Sequence, residues 1–519
     1  MTQLIASLFV DSVQGVEAAA RRAWDAGADA VELRIDAFED DPGQLAEYLA
    51  HHRDRSWIIT CRSAEEGGSF RGDTMQRVST ILAAARGTGA YVDFELADFE
   101  RSSNIRQKIL LAAAQPGNAE PRLILSSHHF DGPPADLPAL IERFRRAHST
   151  ATWKLAYAAR TIEDSFLALD LMHAHSARVI AIAMGECGLW TRVLAKKLGA
   201  FGSFASIEPT EATAPGQLSV DEMIRRYRWR GIDANMQVFG VIGDPVAHSM
   251  SPALVNHWVA EAGVNAVYLP LRVDGADGSL ERFLDEGRAR PWLHIGGFSV
   301  TLPHKHAALR WAGGGAESMA RGIGAANTLV FRDGRVAAYN TDCYAAIASL
   351  ADALGCDRSE LNRFRFDVLG AGGAARGLVY GLRELGCEVT VYARDVEKAR
   401  PLTHEFSARA APWHDVARRT GDVLANCTRV GLWPETAASP VPATALDGCR
   451  LVFDMIYNPL QTRLMSDAAE RDIPTLGGLD MFVRQAAMQF ELWTGQSPNT
   501  ASAKELLAAE LARQRGSSP

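Results

Sequence analysis

From residue 1 to about residue 230, short apolar segments alternate with longer amphipathic ones, eight times over. The apolar segments read LIASLFV, AVELRID, WIITCRS, YVDFEL, RLILSS, TWKLAYAA, RVIAIAMG and SFASIE. Helical patterns such as TMQRVSTILAAARG and TIEDSFLALDLMHAH lie between them. Eight strand–helix units in roughly 230 residues have the size and rhythm of a (β/α)8 barrel. An open doubly wound sheet is the alternative, which eight even units disfavour.

The strand patterns say which side chains face the barrel axis. In TWKLAYAA, Trp153, Leu155 and Tyr157 alternate with Thr152, Lys154 and Ala156, so Lys154 points away from the bulky apolar face. In VELRID, Val31, Leu33 and Ile35 alternate with Glu32, Arg34 and Asp36. Arg62 ends the third strand, Asp93 and Glu95 project from the fourth, His128 and His129 follow the fifth, and Arg192 follows the seventh. A closed barrel offers Lys154 no edge from which to reach water. Charges inside it are costly unless paired, and they gather here at the C-terminal mouth, where barrel active sites are built. A structural ion network is the other reading of such a cluster. An amine held among apolar walls and other cations loses its proton more easily, and the neutral amine attacks carbonyls. A Schiff base between Lys154 and a ketone would make the substrate an electron sink. A neighbouring histidine could then remove an adjacent proton while arginines hold a carboxylate.

With 519 residues the chain is too long for one core, so two to four domains are expected. A net charge of −8 with no run of Lys or Arg gives nucleic-acid binding no electrostatic support. The seven cysteines are scattered without a CxxC, which points to a reducing, cytoplasmic setting without disulfides or a zinc site. MTQLIASLFV lacks a basic leader and reads as a first strand, and no apolar run approaches membrane-spanning length.

Several motifs occur in order over the N-terminal part: ELR on strand two, CRSAEEGG after strand three, SSHHF after strand five, the strand-six lysine, MGECGLWTR and APGQ. In these the chain resembles the type I 3-dehydroquinate dehydratases. The resemblance implies that Lys154 forms the imine, that His128 is the general acid–base and that Glu66 orients it. It further implies that Glu32, Arg34 and Arg62 bind substrate hydroxyls, with Thr213 where serine is usual, and that Arg192 and Gln217 bind the carboxylate. The reaction would be syn elimination of water from 3-dehydroquinate, giving 3-dehydroshikimate, with no metal.

A second pattern begins near residue 236. The strand QVFGVIG is followed by a polar turn and the helix SPALVNHWVAEAG, with Pro252 suited to a first helical turn. The linker, Arg230 to Asn235, is short enough to connect the halves closely. Further on, FDVLGAGGAARGLVYGLRELG is an apolar strand, a glycine turn and a helix, the pattern that lets backbone N–H groups approach a pyrophosphate. The next strand, CEVTVYAR, ends in Ala393 and Arg394 rather than an acid. A guanidinium suits a 2′-phosphate, so NADP is favoured over NAD, although Arg394 also reads as a plain surface residue.

HSMSP, GGFSVTLPHK, GAANTL, YNTD, GAGGAA, NCTRVGLWP, DMIYNPLQTRL and GGLDMFVRQAAMQF follow in order, and in them the chain resembles the shikimate dehydrogenases. The resemblance implies a catalytic pair, Lys305 and Asp342, and a substrate carboxylate held by Ser249 and Ser251. Thr301, Asn327, Tyr457 and Gln485 would contact hydroxyls. Gly370, Gly372, Gly373, Ala374, Arg394, Lys398 and Gly477 would bind NADP. Each has a plainer reading: Ser249 as a helix cap, Asn327 and Asp342 as turn residues, Lys305 as a solvated helix lysine.

The expected organisation is therefore a barrel over 1–230, a substrate-binding domain over 236–346 completed by 480–512, and a Rossmann domain over 360–479. The first half's product would be the second half's substrate, 3-dehydroshikimate reduced to shikimate. The expected partners are these small molecules and neither nucleic acid nor membrane, with the oligomeric state open and a monomer sufficient. The alternatives are a quinate-directed catabolic dehydrogenase and a metabolite-sensing regulator built from the same modules.

Overall fold

In the computed structural model, residues 2–516 are described, apart from 116 and 119. Eight strands open the chain: β1 (Gln3–Phe9), β2 (Ala30–Arg34), β3 (Ser56–Thr60), β4 (Tyr91–Glu95), β5 (Leu123–His129), β6 (Thr152–Ala158), β7 (Val179–Met184) and β8 (Gly202–Ala205). They form one parallel sheet in the order β7-β6-β5-β4-β3-β2-β1-β8. The two end strands, β7 and β8, form no ladder with each other among the described residues, although Phe201 N–H donates to the carbonyl of Val179 at 2.9 Å where the seam begins. The closure expected from the sequence is thus a near-barrel with two edge strands, β8 being only 4 residues long. Lys154 is still denied an edge, because β6 pairs with β5 on one side and β7 on the other.

Strand register sorts the inward side chains by height. Thr60 pairs with Asp93 across β3–β4, Glu95 with Ser126 across β4–β5, and Ser126 with Lys154 across β5–β6. Beneath this polar layer, Ile5, Ile58, Ile124, Ile180 and Phe204 form an apolar plug. The outward faces meet the helices. Trp153 stacks on Phe144 at 5.8 Å, and the Tyr157 hydroxyl donates to the carbonyl of Asp164 at 2.7 Å.

By packing, the chain divides into two compact units: residues 1–252 with 265–295, and residues 253–264 with 296–519. The first unit therefore carries, besides the barrel, the parallel pair β9 (Gln237–Gly243) and β10 (Ala266–Arg272). The linker is laid down on the barrel rather than hung from it. Lys196 donates to the carbonyls of Trp229 and Arg230, and Lys197, 3% exposed, donates to those of Ala234 and Met236.

In the second unit, β11 (Ile295–Val300), β12 (Thr328–Arg332) and β13 (Arg335–Tyr339) run antiparallel. Six parallel strands follow: β14 (Arg365–Leu369), β15 (Glu388–Ala393), β16 (Arg409–Pro412), β17 (Val423–Asn426), β18 (Leu451–Asp454) and β19 (Thr475–Gly477). Their order, β16-β15-β14-β17-β18-β19, is that of a Rossmann sheet, with its reversal between β14 and β17. No helix among the described residues is long and apolar enough to cross a membrane.

Candidate active sites

One cavity at the C-terminal ends of the barrel strands is lined by the nine barrel residues to which the resemblance assigns roles: Glu32, Arg34, Arg62, Glu66, His128, Lys154, Arg192, Thr213 and Gln217. Lys154 Nζ lies 2.8 Å from Asp93 and 3.2 Å from Glu32, and 4.1 Å from the centre of the Phe204 ring. The sequence reading expected apolar walls and cations around this amine; it is held instead between two carboxylates. Both are engaged further: Glu32 accepts from Ser7 and Thr60, and Asp93 from Arg62 at 2.9 Å and Ser126 at 2.7 Å. Alternate strands thus place a line of opposite charges across the barrel, which is how buried charges are tolerated.

The electrostatics follow from burial and this pairing. Burial opposes ionisation of Asp93, yet Arg62 and Lys154 hold its carboxyl well below the usual carboxylate range. Glu32 is also lowered, burial being outweighed by Lys154 and Arg34. His128 Nδ1 lies 2.7 Å from Glu66 Oε2, which also accepts the His128 backbone N–H at 3.1 Å. Burial, then the positive charges of Arg62 and Lys154, push His128 well below the ordinary histidine range. Burial raises Glu66 to about 8 against the pull of Arg62. A proton shared between Glu66 and Nδ1 therefore leaves Nε2 free to take up or release another without a lasting buried ion pair. His129 lies outside the cavity lining and bonds Ser127 Oγ at 3.0 Å, so the structure separates the two adjacent histidines.

Arg192 is fully buried on the short helix Leu189–Leu194, anchored by its Nη groups to the carbonyls of Phe204 and Pro215 at 3.3 Å. Its Nε has no partner, and burial lowers the guanidinium to about 10. Above it, Gln217 Oε1 accepts from Thr213 N–H at 2.7 Å and Thr213 Oγ1 at 3.1 Å. Gly216, at φ +68°, lets this loop approach so closely that a Cβ there would lie 2.6 Å from the carbonyl oxygen of Gly185.

Ser249 Oγ accepts the backbone N–H of Ser251 at 3.3 Å, at the start of the helix Ser251–Glu261. In the second unit, Lys305 begins the helix Lys305–Ala312 and meets Asp342 at 2.6 Å, each side chain 23% exposed. Asp342 stands in the first turn of the helix Thr341–Leu354, which Asn340 caps. Asn327, 2% exposed, accepts from Thr341 N–H and donates to Thr341 Oγ1, so it fixes that turn. Gln489, which the sequence reading missed, locks Asn327 in turn. It accepts from Ser299 Oγ at 2.7 Å and donates to the Asn327 carbonyl and Thr328. Tyr457 stacks on the Phe482 ring at 4.7 Å, and Gln485 donates to the Phe482 carbonyl, so both meet the same residue. Thr301 is half-buried, and its carbonyl accepts from His304 N–H.

The glycine turn after β14 fits a dinucleotide. Gly370 has φ +97°, and a Cβ there would lie 3.0 Å from Thr428, whereas a Cβ at Gly372 or Gly373 would meet nothing. Gly372 precedes the helix Gly373–Glu384, in which Ala374 stands in the first turn, and leaves that end without a side-chain cap. Space and free N–H groups thus occur where a pyrophosphate would lie. Asp395 is used as the cap of the helix Val396–Glu405, accepting from Glu397 and Lys398 N–H. Arg394 stands exposed with no side-chain partner among the described residues, Lys398 lies 3.7 Å from Asp395, and Gly477 precedes the helix Gly478–Thr494. No cluster of metal-ligating side chains occurs among the described residues.

A lysine and a histidine–glutamate pair at a barrel mouth, in one chain with a dinucleotide-binding fold and a lysine–aspartate pair, define a chain of two small-molecule enzymes. The family described as Type I 3-dehydroquinase matches residues 4–234. The Shikimate dehydrogenase substrate binding domain matches 241–329, and the Shikimate 5'-dehydrogenase C-terminal domain matches 478–507. A bifunctional 3-dehydroquinate dehydratase/shikimate dehydrogenase, chloroplastic, of Arabidopsis thaliana is 32% identical over 512 residues, covering 95% of this chain and 82% of its own. The shikimate dehydrogenase (NADP(+)) of Methanosarcina mazei is 39% identical over 274 residues, covering 50% of this chain and 94% of its own. A shikimate dehydrogenase solved with NADP+ is 31% identical, with a TM-score of 0.50, over 54% of this chain and 96% of its own. The chain belongs to the bifunctional 3-dehydroquinate dehydratase/shikimate dehydrogenase family.

Proposed function

We propose that the chain converts 3-dehydroquinate to 3-dehydroshikimate in the barrel and reduces that product to shikimate with NADPH in the second enzyme. The observation that carries the first step is the single cavity holding Lys154, the His128–Glu66 pair and the unfilled guanidinium of Arg192. The ammonium of Lys154 lends a proton to a neighbouring carboxylate while the amine adds to the ketone, and the proton returns to the departing hydroxyl, so that water leaves and a protonated imine forms. His128 Nε2 removes the adjacent proton, leaving an enamine, and returns a proton to the departing hydroxyl on the same face. Water then frees the amine. Glu32, Arg34, Arg62, Thr213 and Gln217 hold the hydroxyls and, with Arg192, the carboxylate.

In the second enzyme NADPH, when bound, supplies hydride. Lys305, set by Asp342, places a proton at the carbonyl oxygen that becomes the new hydroxyl. Ser249 and Ser251 bind the carboxylate, Thr301, Asn327, Tyr457 and Gln485 the hydroxyls, and Arg394 with Lys398 the 2′-phosphate. The catalytic modules follow the division 1–230, 236–346 with 480–512, and 360–479. Seven free cysteines support a reducing, cytoplasmic setting. Nothing basic suggests a nucleic acid, nothing suggests a membrane partner, and one chain supplies every named residue, so a monomer suffices.

Incubation with 3-dehydroquinate and NADPH, with products identified by mass, tests the reading: shikimate is expected. Borohydride with 3-dehydroshikimate should add ligand mass to the peptide containing Lys154, and an adduct on another lysine overturns its role.

A further inference from the structure

Behind the cavity lies a charged group that neither the motifs nor the lining single out. Arg77 is on the helix Thr74–Ala85, 2% exposed, with its guanidinium 4.6 Å from the centre of the Phe94 ring. It pairs with Glu95 and Asp98 and donates to the carbonyl of Cys61 at 2.9 Å. Glu95 in turn accepts from Arg62 Nη1 at 3.1 Å and from the backbone N–H of Ser63 at 3.0 Å.

These bonds grip the chain on both sides of Arg62. The residue before it is held by Arg77 directly, and the residue after it through Glu95. The Arg62 side chain is held by the same carboxylate: Nη1 donates to both Glu95 and Ser126, which leaves Nη2 directed at Asp93. Ser63 also accepts the N–H of Glu66, so the turn that carries Glu66 to His128 starts from the same fixed point. Burial works against the charge of Glu95, and Arg62 and Arg77 together keep it ionised. Were Arg77 removed, one cation would have to satisfy a buried carboxylate that now has two.

We propose that Arg77 is a positioning residue for the dehydration: it acts through Glu95 and the Cys61 carbonyl to aim Arg62 into the cavity. The inference rests on the reading that Arg62 serves the dehydration. Arg77 is not among the residues that line the barrel cavity and is not a catalytic residue. A purely structural arginine would stabilise the barrel without regard to Arg62, and that difference is measurable.

Arg77→Lys keeps the charge but loses the three-point fork. It should lower kcat/KM for 3-dehydroquinate about tenfold, since small misplacements of binding groups are costly. Reduction of 3-dehydroshikimate by the same protein should stay within about twofold and serves as the folding control, the sites being independent. In an Arg62→Met background the same substitution should cost less than about twofold, because the group it aims is gone. Asp98→Asn, which removes only the far support of Arg77, should give a smaller loss with the same dependence on Arg62. Equal losses with and without Arg62, or no loss in either variant, overturn the proposal. A wild-type chain that makes no 3-dehydroshikimate overturns the underlying reading instead.

Discussion

Lys154 and Lys305 are both lysines paired to carboxylates in proposed active sites, yet their surroundings differ in kind. The Lys154 side chain is 7% exposed and lies between two carboxylates that are themselves 3% and 0% exposed. Those carboxylates belong to a line of charges reaching Arg62, Glu95, Arg77 and Asp98. Lys305 is 23% exposed and meets one carboxylate exposed to the same degree. Burial explains the contrast. Around Lys154 the buried charges are matched by one another, so the network extends back into the wall. At Lys305 water shares the load, and a short pair set by a helix start is enough.

The largest expected effect follows directly. Lys154→Ala should abolish dehydration of 3-dehydroquinate and leave reduction of 3-dehydroshikimate intact, while Lys305→Ala or Asp342→Ala should do the reverse. Mixing the two damaged proteins should restore shikimate formation, because the intermediate can diffuse. The stabilities should separate as well. Removing Lys154 strands Asp93 and Glu32 and should cost about 3–5 kcal/mol, whereas removing Lys305 should cost no more than about 1 kcal/mol. Urea unfolding followed by tryptophan fluorescence checks this, and equal costs would break the comparison.

Next in size is Glu66→Gln. Glutamine cannot take the Nδ1 proton, so dehydration should slow on the order of 10²-fold. The effect on stability has the opposite sign. With its folded value raised to about 8 from the ordinary carboxylate value of 4.5, Glu66 holds more protons folded than unfolded between those limits. Its contribution to stability therefore falls as pH rises through that window and is most unfavourable above pH 8. The Gln variant should gain several kcal/mol, up to about 5, relative to wild type as pH rises through the window. A constant difference from pH 5 to pH 9 would show that Glu66 is not buried against its charge.

Arg394→Ala should weaken NADPH while sparing NADH. A charge-assisted hydrogen bond is worth about 1.5–3 kcal/mol, or roughly 10- to 150-fold. Equal losses with both cofactors would assign the phosphate to other groups. The smallest effect is expected at His129, which lies outside the cavity: His129→Ala should leave dehydration within about threefold, the range of a substitution away from the reacting groups. A loss as large as that of His128→Ala would exchange the two histidines.

Much of this was legible in the residues. The period-two strands correctly turned Lys154, Glu32, Asp93 and Glu95 inward, because alternation is a property of the strand itself and survives any packing. The GAGGAA turn announced the nucleotide fold for the same reason: only glycine accommodates Gly370 at φ +97° with Thr428 so near. Arg77 and Gln489 were not legible. Each sits in a helix, where an isolated polar residue ordinarily faces water, and only packing puts it against the back of a site.

The sequence by itself determined the strand–helix rhythm, the faces of the strands, the order of the motifs and the class of chemistry, because these depend on periodicity and on residues close along the chain. Tertiary structure decided which charges meet. It placed Asp93 and Glu32 against Lys154 where cations were expected, set His128 rather than His129 beside Glu66 in the cavity and left the β7–β8 seam without a ladder. Pairing inside a barrel depends on register and stagger between strands remote in sequence. A buried charge must also find its partner among whatever groups that register brings within reach.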